Sequence, residues 1–78
     1  MPTVKQVRTK VANELLAWMV EHDMKKGVYT YDVVQPFSAE TGYDMPDVWK
    51  SWEILQDNLR VTKHKGPGWE ILDTKPIE

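Results

Sequence analysis

The chain has no cysteine, which excludes a disulfide staple and a thiolate zinc site. That usage suits a reducing cytoplasm, the expected location. The longest strictly apolar run, Leu15 to Val20, is six residues. It is too short for a membrane span or a signal-peptide core, so no membrane partner is expected. Histidine is scarce, with only His22 and His64. There is no His-x-x-His and no carboxylate cluster, so no metal site is expected. The run "GPG" at 66–68 lacks the lysine and helix start of a phosphate-binding loop. Ser38 and Ser51 have no histidine beside them in sequence. The expectation is therefore a protein without catalytic residues or cofactor, and not an enzyme.

What is present is an ordinary globular balance, 41% hydrophobic and 28% charged, in 78 residues. That length reads as one domain, 1–78, with a modest core. Four tryptophans supply much of the apolar area such a core can bury. Net charge is −2, and its distribution is uneven. Residues 1–10 carry +3, residues 11–59 carry −6, residues 60–65 carry +3 and residues 66–78 carry −2. The cations thus form two short blocks around an acidic middle.

Thr3 and Gln6 have the spacing of a capping box, with Pro2 just outside the helix. Val4, Val7, Val11, Leu15, Trp18, Met19 and His22 then fall on one stripe at helical spacing, predicting a helix over 4–23. Met24-Lys25-Lys26-Gly27 reads as its end, because cations and a left-handed glycine suit a C-terminus. Val28-Tyr29-Thr30-Tyr31 is β-branched and aromatic and reads as a short strand. Asp32 reads as the cap of a second helix that buries Val33, Val34 and Phe37, tolerates Pro36 and stops at Gly42. Asp44 caps a third helix, with Pro46 in its first turn and Val48, Trp52, Leu55 and Leu59 on its apolar face. Val61 opens a strand, Lys65-Gly66-Pro67-Gly68 is a turn, and Trp69, Ile71 and Leu72 belong to the returning strand. The tail, 73–78, has no pattern and is expected to fray.

This order of elements resembles the winged helix-turn-helix DNA-binding domain, of the type found in small phage and bacterial regulators. The local match is "FSAETGYDMPDVWKSW". Gly42 stands at the turn, with Phe37 five residues and Ser38 four residues before it, and Val48 follows six after it. The resemblance covers about residues 4–72. The sequence departs from the pattern at Pro36, at Trp52, and at Ser51, where a larger apolar residue is usual. The resemblance implies an α+β winged helix: three helices, a short strand and a C-terminal two-stranded hairpin, the wing.

It also implies a transcription regulator that grips duplex DNA. In winged-helix DNA binders the third helix enters the major groove and the wing lies along phosphates. Carried over, the phosphate contacts are Lys63, His64 and Lys65 on the wing, Arg60 at its base, and Lys5 and Arg8 on the first helix. Base discrimination would fall to Tyr43, Trp49 and Lys50. One such domain binds weakly, so a homodimer or repeated binding along the site is expected. The third helix holds four acids and one lysine between Asp44 and Leu59, an unusual charge for insertion between phosphates. That favours the alternative: a winged-helix module docking a protein partner in nucleic-acid machinery through the acidic helix and Trp49.

Overall fold

The structure is a computed structural model that describes residues 3–78; Pro2 lies outside the described residues. Three helices, α1 (Val4–Glu21), α2 (Thr30–Thr41) and α3 (Met45–Asp57), precede a hairpin of β1 (Val61–Lys63) and β2 (Trp69–Ile71). It is a small α+β fold in which α1 packs most extensively on α3.

The capping box forms as read. Thr3 Oγ1 accepts from the Gln6 amide at 3.1 Å, and Gln6 Oε1 accepts from the Thr3 amide at 2.8 Å. Burial on α1 begins only at Val11 and continues through Ala12, Leu15, Leu16, Trp18 and Met19. Val4 and Val7, placed on the buried stripe by their spacing, are 65% and 48% exposed. They overhang the start of α3 and line an open groove with Val11, Tyr43 and Asp47. His22 is likewise exposed rather than buried. It is the residue just past the helix end, and its ring lies flat on Trp18 at 4.1 Å.

α1 also ends earlier than 23, and without glycine. The Met24 amide bonds Met19 O at 2.8 Å and the Asp23 amide bonds Val20 O at 3.1 Å, while Asp23 takes φ 57°. This is the Schellman ending, with aspartate in the left-handed position. Lys25 and Lys26 therefore lie outside the helix, and no basic residue occupies its last turn. The predicted strand at 28–31 shrinks to one bridge, Val28 to Trp69, because helix α2 has already begun at Thr30.

Asp32 lies in the first turn of α2, and the capping position belongs to Tyr29, which makes no side-chain cap. Pro36 sits inside the helix, so Asp32 O has no i+4 amide to accept from. Val33, Val34 and Phe37 are buried, and Gly42 ends the helix at φ 83°. Asp44 occupies the N-cap of α3 without a side-chain bond. Val48, Trp52 and Leu55 are buried as expected. Leu59 is not: α3 stops at Asp57 and Leu59, at φ 57°, turns outward with 69% exposed.

Ser51 shows why a larger residue is missing there. It is fully buried, and its hydroxyl is directed at both Asp47 O (3.0 Å) and Arg8 O (3.2 Å). The second of these carbonyls belongs to α1, so the two helix backbones approach closely at this point. Trp52 fills the neighbouring space, with Trp69 of β2 edge-on at 5.6 Å.

The C-terminal segment does not fray. Asn13 Nδ2 donates to Ile77 O at 2.9 Å, and Asn13 Oδ1 accepts from the Ile77 amide at 2.7 Å. Ile77 packs on the core. Leu72 is excluded from β2 and is exposed.

Two substitutions test the helix crossing. Ser51→Leu should lower stability by about 1–3 kcal/mol through overpacking. Ser51→Ala should cost no more than about 1.5 kcal/mol, the net worth of a hydrogen bond. Chemical denaturation of both variants reads the order.

Candidate nucleic-acid interface

The hairpin is antiparallel, pairing Val61 with Ile71, Thr62 with Glu70 and Lys63 with Trp69. Side chains alternate between faces, so Val61, Ile71 and Trp69 face the body while Thr62 and Glu70 face away. Gly68 fixes the ribbon to the body. A Cβ there would meet Gly27 C at 2.7 Å and Val28 N at 2.8 Å, and its φ is +89°. Only glycine fits both the backbone conformation and the close approach.

His64 holds the turn. Its Nδ1 accepts from the Gly66 amide at 3.0 Å, and its amide bonds Gly68 O at 3.0 Å. A ring accepting at Nδ1 carries its proton on Nε2, which lies 3.8 Å from Glu70 Oε2. The carboxylate on the ribbon thus faces the histidine. Lys63 and Lys65 are exposed. Among the described residues, neither has a carboxylate within 4.0 Å.

The other predicted contacts divide. Arg60 is committed elsewhere: Nε donates to Lys75 O (2.7 Å), Nη1 to Asn58 O (2.7 Å) and Nη2 to Pro76 O (3.4 Å). Its guanidinium is the anchor of the C-terminal segment, so these donors are engaged within the chain. Tyr43 is also occupied. Its hydroxyl donates to Glu14 Oε2 at 2.6 Å, and its ring sits 6.1 Å from Phe37. It ties the α2–α3 loop to α1. Trp49 is 40% exposed on α3. Lys50 is exposed and lies 3.8 Å from Glu53, a solvent-screened pair worth little. Lys5 and Arg8 belong to the first turns of α1, where Arg8 O meets Ser51 at the midpoint of α3. The ribbon leaves the C-terminal end of α3, about 9 Å further along the helix. The predicted cations therefore form two groups, not one cluster.

The fold adds two residues that the charge pattern did not select. The Ile71 amide donates to Lys25 O at 2.9 Å, and Val28 exchanges both backbone bonds with Trp69 (3.1 and 2.7 Å). Residues 25–28 thus line the free edge of β2 and carry Lys25 and Lys26 to the ribbon. The signal available in the sequence was the strand-like "VYTY", whose partner only the tertiary fold specifies.

Among the described residues no group of histidines and carboxylates could hold a metal, and no helix is long and apolar enough to cross a membrane. Compared with protein-family models, curated proteins and solved structures, the chain matches none.

The hydrogen bond to Glu14 holds the Tyr43 hydroxyl above its usual value of 10.0, with desolvation and the Glu14 charge acting in the same direction. The folded value exceeds the unfolded one, so this contribution to stability is complete below about pH 10 and is lost as pH rises through the folded value. Absorbance titration at the phenolate band should show Tyr43 ionising above the usual tyrosine value. Glu14→Ala should bring it back toward that value.

Proposed function

We propose that the chain is a winged helix-turn-helix DNA-binding module, acting as a cytoplasmic transcriptional regulator, that holds duplex DNA chiefly by its phosphates. The observation that carries this reading is the state of the ribbon. Lys63 and Lys65 are exposed without a carboxylate partner among the described residues, while Glu70 is turned to His64. Ammonium groups already free of internal pairing can replace condensed counterions on a polyanion at little cost.

The element order supports the same reading. Three helices lead into an antiparallel ribbon, and residues 25–28 pair on the outer edge of its second strand. This is the arrangement that the helix-turn-helix spacing around Gly42 implies. Lys5 and Arg8 supply a second set of cations on α1, which meets α3 near its midpoint, and Trp49 and Lys50 lie on the exposed side of α3. A site spread in this way suits a ligand with regularly repeated charge.

The charge of α3 favours a second reading. Glu53 and Asp57 are exposed on it on the same side as Trp49. An acidic face with one aromatic anchor suits docking to a basic groove on a partner protein.

Electrophoretic shift on random duplex DNA separates the two readings. Three or four phosphate contacts predict that affinity falls roughly 40- to 150-fold between 50 and 200 mM salt. Lys63→Glu with Lys65→Glu should abolish the shift. A salt-independent affinity, or full binding by the double variant, overturns the DNA reading. A biological activity that survives that variant and fails with Trp49→Ala supports docking.

A further inference from the structure

We infer that the phosphate-binding surface does not stop at the hairpin but continues across its neighbouring edge onto Lys25 and Lys26. This rests on the DNA reading above and extends it to residues that the charge blocks assigned to a helix terminus.

The argument is one of placement. β2 is the middle element of the ribbon, with β1 on one side and residues 25–28 on the other. Adjacent strands lie about 4.8 Å apart, so the outer two backbones are about 10 Å apart. Lys63 and Lys65 extend from one side and Lys25 and Lys26 from the other. Four exposed lysines thus flank the ribbon on both sides, Lys25 and Lys26 beside Ile71 and Lys63 beside Trp69, an offset of about 7 Å along β2.

The placement is rigid where it matters. Gly68 meets Gly27 and Val28 backbone to backbone, and the carbonyl of Pro67 faces Gly27. The turn of the hairpin cannot swing away from the 25–28 segment without breaking the Val28–Trp69 bonds. Both pairs of lysines therefore move as one surface.

Its four lysines outnumber the three acids nearby, Asp23, Glu70 and Asp73. Asp23 lies 3.7 Å from Lys25, but both side chains are largely exposed, at 89% and 61%, and such a pair exchanges readily for a phosphate. Glu70 faces His64, and Asp73 accepts from the Lys75 amide at 2.9 Å. Lys26 is exposed and has no ion pair among the described residues.

The test compares three double or single variants on one random duplex across 50–200 mM salt. The parent chain, with about six phosphate contacts, should lose roughly a thousandfold in affinity over that range. Lys25→Gln with Lys26→Gln should flatten the loss to roughly a hundredfold, because about two contacts are gone. Lys63→Gln with Lys65→Gln should flatten it equally. Lys10→Gln, an exposed lysine on α1 away from the ribbon, should leave the slope unchanged. Thermal melting should be the same for all, since these side chains are exposed. If the 25/26 variant keeps the parent's slope while the 63/65 variant loses it, the extension is wrong and the wing reading stands. If neither changes, both fail.

Discussion

The meeting of Gly68 with Gly27 and Val28 joins the two parts of this molecule. The helical body alone offers an acidic third helix and a partly uncovered first helix. The hairpin alone would be a short ribbon of three-residue strands, too small to hold its own shape in water. Backbone-to-backbone approach at one glycine lets Val28 pair with Trp69, which places the edge of that tryptophan on Trp52 in the body. Everything asked of the ribbon as a rigid surface follows from that contact.

Electrostatics in the fold is divided between structure and surface in a way residue type does not reveal. Arg60 and Tyr43 look like ligands in a list of polar residues. In the folded chain the first holds the C-terminal segment through backbone carbonyls and the second holds a loop to α1 through Glu14. Lys63 and Lys65 have no such duty. The distinction is between a charge whose hydrogen bonds are already satisfied and one still exposed to solvent, and only the former is fixed in direction.

What could be read from the sequence was what is decided locally. The capping box at Thr3 and Gln6, the stop at Gly42, the start of α3 at Asp44 and the turn at Gly66-Pro67-Gly68 each depend on a few neighbouring residues. The order of elements followed from these. What could not be read depends on where other elements end. Val4, Val7 and Leu59 have the periodicity of core residues, but among the described residues no element covers them. His22 and Asp23 finish α1 through a Schellman turn that commonly uses glycine, so Gly27 drew the boundary too late. Ser51 appeared as a defect in an apolar face because its partner, Arg8 O, lies on another helix. Lys25 and Lys26 were assigned to a helix end for the same reason: their true neighbour, Ile71, is far along the chain.

The amide of Asn13 imitates a piece of strand, giving and accepting one bond with Ile77 across a sequence separation of 64. It works as a clasp that closes nearly the whole chain into a ring. The entropy of closing so long a loop is recovered only when the parts between are already in place. The clasp therefore gains its strength from the fold already in place, and it ties the middle of α1 to the far end of the chain.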